Sequence, residues 1–212
     1  YKPNTAVHMG QLKRALKMLH KAKNPLFLAG GGVNIARANE IFQKVAEKTR
    51  VPVVTTVMGR GAIPTNHPLF VGNLGMHGSY AANMAVNNCD LLFSIGTRFN
   101  DRITGKLHAF APHAQIVHID IDTASISRNI HVDVPIVADA LEAVTRMADY
   151  AELCNTEDWL LQIRPWKEEH PLTMRSRGHM SPLDIIDEIN RQFEEAILVT
   201  DAVSYTHLRA HE

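Results

Sequence analysis

Apolar residues recur along this chain in two alternating rhythms. Over residues 9–23 the positions Leu12, Ala15, Leu16 and Leu19 fall at helical spacing, with lysines on the opposite face, which predicts an amphipathic helix. Pro25-Leu26-Phe27-Leu28-Ala29 then forms a short unbroken apolar run, the pattern of a strand buried on both faces. The alternation continues. A helix is expected over residues 36–50, with Ile41, Val45 and Ala46 on its buried stripe, and a strand over residues 51–55. Residues 59–78, punctuated by glycine and proline, read as one long loop. A helix over 79–88, a strand over 90–95 and strands at 116–119 and 134–137 follow. Asp139 stands where it would cap a helix running through Leu141, Val144 and Met147. Apolar strands alternating with helices predict an α/β fold, a Rossmann-like parallel sheet with helices on both faces. Pro135 has no N–H to give a ladder, so its strand is expected at an edge or at its own start.

The pattern changes after Tyr150. Residues 151–181 carry Trp159, Trp166 and two prolines but no strand pattern, and read as a helical connector. Ser181 and Pro182 open a new amphipathic helix as N-cap and first helical residue. Residues 196–201 form a strand ending in Asp201. The expected organisation is a linker over 1–8, a sheet domain over 9–150, the connector over 151–181, the truncated start of a second α/β domain over 182–201, and a separate tail over 202–212.

Composition narrows the function classes. Lys+Arg and Asp+Glu balance at 22 each, so no global field favours nucleic acid or an anionic membrane. No apolar run is long enough to span a bilayer, and the start has no signal-peptide pattern. Cys89 and Cys154 are far apart and read as free thiols of a reducing, cytoplasmic compartment. The 12 histidines lack ligand spacing, so no zinc site is expected.

Candidate chemistry lies at the carboxyl ends of the strands, where open parallel sheets bind ligands. Read in order, these ends are Gly30-Gly31-Gly32, Thr56-Val57-Met58-Gly59, residues 96–106, Asp120-Ile121-Asp122, and Ala138-Asp139. Five polar or glycine-bearing ends around one sheet suggest a nucleotide-sized groove. The third is the richest. Gly96-Thr97-Arg98-Phe99-Asn100-Asp101-Arg102-Ile103-Thr104-Gly105-Lys106 places two arginines, an aspartate and a lysine after a buried strand. Guanidinium forks suit carboxylate and phosphate. The triple glycine precedes a helix and so suits a phosphate, but Ile35 stands where a dinucleotide fingerprint has its third glycine. Asn100 and Leu107 break a P-loop pattern ending at Gly105-Lys106. Asp120 suits a ribose hydroxyl; the alternative for Asp120 and Asp122 is helix capping. Leu74-Gly75-Met76-His77-Gly78 offers a flexible Met to a flat ring or a substrate, or forms a surface turn with one buried Met.

Together these blocks resemble the acetolactate synthases (acetohydroxyacid synthases) in their large catalytic subunit. The blocks are Leu28-Ala29-Gly30-Gly31-Gly32-Val33, the run from Val51 through Gly59, Leu74-Gly75-Met76-His77-Gly78, residues 96–106, and Val117-His118-Ile119-Asp120-Ile121-Asp122. They cover about residues 24–140, the middle domain of a three-domain thiamine-diphosphate enzyme. Arg-Phe-x-Asp-Arg-x-Thr-Gly-Lys is the most specific of them.

The resemblance implies FAD held in extended form at Gly30, Gly31, Gly32, Thr56, Val57, Leu74, Gly75, Met76, His77, Gly96, Thr97, Arg98, Phe99, Asn100, Asp120, Ile121, Asp139 and Ala140. Asn100 stands where Asp is more usual. It implies that Met76, Asp101 and Arg102 face the substrate, with Arg102 gripping the carboxylate of the second 2-ketoacid and Arg98 on the flavin side. The implied reaction condenses two pyruvates, or pyruvate with 2-oxobutanoate, with loss of CO2, in branched-chain amino-acid biosynthesis. It uses thiamine diphosphate and Mg2+. The activating glutamate and the magnesium-binding Gly-Asp-Gly lie in the first and third domains of that family, so no catalytic or metal-ligating residue is expected here. A homodimer or homotetramer and a small regulatory subunit are the implied partners. Beyond Asp201 the family continues with a Gly-Gln-His-rich loop; the tail from Ala202 to Glu212 departs from it and is expected to be non-native. Two other readings stay open: a related thiamine-diphosphate enzyme such as a glyoxylate carboligase or oxalyl-CoA decarboxylase, and a non-catalytic nucleotide-binding module.

Overall fold

The structure is a computed structural model that describes residues 6–171, 180 and 182–193. It divides into two compact units, residues 1–171 and 172–212. The first is built on a six-stranded parallel sheet: β1 (Pro25–Ala29), β2 (Val53–Thr55), β3 (Phe70–Asn73), β4 (Leu91–Ile95), β5 (Gln115–Asp120) and β6 (Val134–Val137). Their order across the sheet is β3-β2-β1-β4-β5-β6, every neighbouring pair parallel. The central strands β1 and β4 are buried at every position. Successive side chains point to opposite faces, so each unbroken apolar run feeds two cores.

Helices cover both faces. On one lie α1 (Met9–Lys21), α3 (Asn39–Thr49) and α6 (Ala140–Tyr150). Their core centres on Phe27, whose ring meets Phe42 at 5.8 Å and Phe93 at 5.6 Å edge-on. On the other lie α4 (Tyr80–Asn88) and α7 (Glu157–Glu169), packed on Leu26, Leu28 and Leu92. Trp159 of α7 is buried there, its indole N–H donating to the Pro25 carbonyl at 3.0 Å. Ser79 caps α4 through the Ala82 N–H, and Asp139 caps α6 through the N–H groups of Leu141 and Glu142.

Two elements differ from expectation. The helix expected over 36–50 begins later, at Asn39, and a separate turn of helix precedes it. A short helix, α2 (Gly31–Ile35), comes first, and Arg37 turns left-handed at φ +54 before α3 begins. The Ala38 N–H bonds the Val33 carbonyl across that turn at 2.9 Å, the closure by which a left-handed residue ends a helix. The expected long loop over 59–78 contains β3, an edge strand with a register shift against β2. Pro135, as expected, sits in an edge strand.

In the second unit α8 (Pro182–Gln192) is described, with an Arg191–Glu188 ion pair. The Ser181 cap, the strand over 196–201 and the tail over 202–212 lie outside the described residues, as do residues 1–5 of the linker. Among the described residues no helix is long and apolar enough to cross a membrane.

Both cysteines are free and buried. Burial, reinforced by the Asp90 charge, pushes the Cys89 thiol up to about 12; burial, with Glu152 nearby, pushes Cys154 up to about 11. A thiol whose folded pKa is raised favours the fold fully below the unfolded value of about 8.5, and that contribution is lost as pH climbs above it. Neither thiol is therefore expected to react with Ellman's reagent at pH 8 until denaturant is added. Rapid reaction of the native chain would contradict the burial described.

Candidate functional site

The chain leaves β1 toward β2 and β3 on one side, and β4 toward β5 and β6 on the other. The carboxyl ends of β1 and β4 therefore flank the point where the winding reverses, the place where such sheets bind ligands. Gly30 and Gly96 begin the loops that leave them. The Gly30 N–H donates to the Ile95 carbonyl (2.9 Å), the Gly32 N–H to the Gly96 carbonyl (3.1 Å), and the Gly96 N–H to the Ile119 carbonyl (2.8 Å). Gly96 has φ +63, and a Cβ on Gly32 would lie 2.6 Å from the Gly96 Cα. The space left by the missing side chains at Gly30 and Gly32 is thus filled by the β4 loop, through the Gly96 backbone and, at Gly30, also the Thr97 hydroxyl. Gly31 differs: a Cβ there would meet only the Met58 side chain and carbonyl.

Beyond β2, the Thr56 hydroxyl accepts from the Gly59 N–H at 3.0 Å and closes a tight turn. The turn pushes Val57 and Met58 outward into solvent. Beyond β3, Asn83 of α4 clamps Gly75 twice, accepting from its N–H at 3.2 Å and donating to its carbonyl at 3.1 Å. Leu74 and Gly75 are buried, whereas Met76 and His77 project. The Met76 N–H donates to the Arg102 carbonyl at 3.0 Å. The structure thus joins two sequence blocks that lie about 25 residues apart in the chain. Between them opens a cleft of about 370 Å³ that includes Met76, Asp101, Arg102 and Lys106.

The arginine loop is held by its middle. Phe99 is buried at φ +49, edge-on to Phe110 at 5.9 Å and to His118 at 4.9 Å. Its carbonyl accepts from the Asn129 amide at 2.8 Å. Thr97 is buried, and Arg98, Asn100, Asp101 and Arg102 are exposed. After Phe99, Asn100 stands at the N-cap position of the short helix α5 (Asp101–Thr104), which carries Arg102. Arg98 lies near enough to the β5 loop for its charge to act there. The Asp122 carboxyl there is held below its usual range by hydrogen bonds from the Ser125 hydroxyl and the Ala124 N–H, and by the charges of Arg98 and Arg128. Arg102 instead lines the Met76 cleft. One loop presents two cations to two different places.

At the end of β5, Asp120 is half-buried and its Oδ1 accepts from the Asp122 N–H at 2.9 Å. Ile121 is exposed beside it. Asp139 takes both of its N–H donors on one oxygen, Oδ1, and Ala140 is buried behind it. Both aspartates make local turn and cap bonds while standing at the carboxyl edge. Among the described residues no cluster of three or more His, Cys, Asp or Glu side chains is arranged to hold a metal ion.

A profile of the central domain of thiamine pyrophosphate enzymes matches residues 12–147. The chain belongs to that family. This thiamine pyrophosphate enzyme domain is 40% identical to a probable acetolactate synthase large subunit of Methanocaldococcus jannaschii, over all of the chain and 38% of the relative. It is 50% identical to one from Methanococcus aeolicus over 71% of the chain and 26% of the relative. It is 37% identical to acetolactate synthase isozyme 3 large subunit of Escherichia coli, over 96% of the chain and 37% of the relative. The chain spans little more than a third of the length of these curated relatives.

As site residues, sequence reading named Val57, Met76 and Ile121 of this thiamine pyrophosphate enzyme domain but missed Ile35, Met58 and Leu141, which are exposed as they are. Large apolar side chains stand exposed in the segments that follow five of the six strands: Ile35 at the end of α2, Met58 with Val57, Met76, Ile121, and Leu141 in α6. Ile35 is 84% and Met58 74% exposed. Single exposed apolar residues need no explanation, but their recurrence after five strands of one parallel sheet is the pattern of a surface meant to be covered. The signal available was apolar residues inside turns, as in Thr56-Val57-Met58-Gly59.

Proposed function

We propose that this chain is the FAD-binding central domain of an acetolactate synthase large subunit, and that its arginine loop serves cofactor and substrate on opposite sides. What carries the reading is the division of the two arginines, one toward the β5 loop and one into the Met76 cleft. The crevice suits a dinucleotide in chemistry. An exposed apolar rim matches flat rings, Asp120 and Asp139 match hydroxyls, and Arg98 matches phosphate. Gly31, Thr56, Val57, Leu74–His77, Gly96–Asn100, Asp120, Ile121, Asp139 and Ala140 form the proposed flavin surface. Within it Phe99 and Thr97, being buried, act by fixing the loop.

The Met76 cleft is the proposed entry for a small 2-ketoacid. Arg102 binds its carboxylate, and Asp101 and Met76 bound the space beside it. Thiamine diphosphate with Mg2+, when bound, supplies the electron sink on which a 2-ketoacid loses CO2. This chain's residues hold and orient the acceptor for that step, giving 2-acetolactate from two pyruvates or the homologous product with 2-oxobutanoate. A homodimer or homotetramer and a small regulatory subunit belong to the same reading, as do the branched-chain amino-acid pathway and a cytoplasmic location.

The full-length protein is expected to purify with FAD. Gly31→Val should weaken that binding about tenfold, because the branched side chain displaces Met58 at the crevice. Flavin absorbance and titration of the stripped protein measure both. A protein that takes up no FAD would remove the dinucleotide reading, and unchanged titration in the variant would remove Gly31 from the site.

A further inference from the structure

One buried group is unexplained by packing. His118 lies on β5 with no solvent exposure, and neither ring nitrogen has a hydrogen-bond partner. Ser94, its register partner on β4, is also fully buried, and its hydroxyl too is unpartnered. Buried polar groups are almost always paired, because leaving them bare costs free energy that an apolar side chain would not incur. The surrounding face is apolar, with Leu28, Leu92 and Ile116 in the same core. A leucine at position 118 would suit that core better than an imidazole.

A carboxylate lies close to the imidazole. His118 Nε2 lies 3.7 Å from Asp120 Oδ2. Residues 118 and 120 share a face of the strand. The other carboxylate oxygen is already fixed by the Asp122 N–H. A shift of about 0.5 Å would bring the pair within hydrogen-bond distance. On its other side the imidazole meets the Phe99 ring edge-on at 4.9 Å. Phe99 is the residue that anchors the arginine loop.

Resting on the dinucleotide reading above, we propose that His118 is a positioning residue for ligand binding. It holds Asp120 Oδ2 toward a vicinal diol, the ribose of the bound dinucleotide, and ties that carboxylate to the arginine loop through Phe99. Binding of the diol draws Asp120 into a defined position, the His118 N–H closes on Oδ2, and the Phe99 anchor settles with it. The two ends of the crevice are thereby coupled through one buried ring.

The test is a double-mutant cycle on the full-length protein, stripped of flavin and titrated with FAD, with thermal melts of each variant. His118→Leu removes the imidazole and leaves an apolar core. It should bind FAD about tenfold more weakly without a lower Tm. His118→Gln, which keeps an N–H donor, should recover part of the loss. In an Asp120→Asn background the His118→Leu effect should shrink to within about twofold, since a shared interaction can be lost only once. A purely structural histidine would lower Tm and give additive losses. Wild-type FAD affinity in His118→Leu, with weak binding in Asp120→Asn, would overturn the positioning role and leave the dinucleotide reading standing. Unchanged affinity in both would overturn the inference by removing Asp120 as well as His118 from the site, whereas a wild-type protein that takes up no FAD would overturn the dinucleotide reading itself. Should His118→Leu fail to fold, His118→Gln completes the cycle, and additivity there overturns the inference.

Discussion

Gly96→Ala is expected to destabilise the sheet domain by roughly 2–5 kcal/mol, with a fall in Tm of about 4–20 °C. Two costs add. The residue sits at φ +63, where an L side chain is strained, and its Cβ would lie 2.6 Å from the Gly32 Cα and 2.9 Å from the Gly32 nitrogen. The obstruction is backbone, so no side chain can rotate out of the way. The loops leaving β1 and β4 would have to separate, and the Gly32 N–H to Gly96 carbonyl bond would break with them. Gly61→Ala separates the two costs. Gly61 has φ +88 with nothing within 4 Å of its would-be Cβ, so only the strain of about 1–2 kcal/mol remains. Thermal or urea unfolding of the two variants measures the difference. Equal losses would mean that the loops relax apart freely and that the backbone contact is not a fixed feature of the fold.

That contact also shows where sequence reading stops. The strand sequences were easy to recognise because β1 and β4 are buried on both faces and so are apolar at every position but Ser94. β3 was not, because Phe70-Val71-Gly72-Asn73 is half-polar, short and at an edge. The break at residues 36–38 left no mark either, since Arg37 adopts a left-handed turn without a glycine or asparagine to announce it. In the site, a glycine in the sequence reports a missing side chain but not what fills the gap. At Gly30 and Gly32 the filler is the β4 loop. The richness of residues 96–106 was plain from composition. The different surroundings of its two arginines, Asp122 for Arg98 and the Met76 cleft for Arg102, were not, because they depend on Phe99 being buried between them and on α5 following it. His118 read as one more residue of an apolar strand. Its lack of any partner is a three-dimensional fact.

Arg102→Ala, in the full-length protein, is expected to weaken use of the acceptor 2-ketoacid by about 10–100-fold while leaving FAD content nearly intact. A charge-assisted hydrogen bond between guanidinium and carboxylate supports that range. The geometry explains why the two effects should separate. Arg102 touches the Met76 loop through its carbonyl, which accepts the Met76 N–H at 3.0 Å, and alanine keeps that carbonyl. The loop is anchored elsewhere, by Phe99 and by the Asn129 amide. Removing the guanidinium therefore takes away the cleft's one planar cation, leaving the Lys106 ammonium, without moving the crevice. Arg102→Lys should recover only part of the loss, because an ammonium cannot make the bidentate pair. Arg98→Ala should show the opposite division, with FAD affinity reduced and acceptor kinetics near normal once flavin is saturating. Steady-state kinetics with the acceptor varied, together with flavin absorbance on the same preparations, distinguish the two arginines. If Arg102→Ala loses its FAD yet shows normal ketoacid kinetics when flavin is added back, then Arg102 serves the cofactor and the cleft beside Met76 is not where the carboxylate binds.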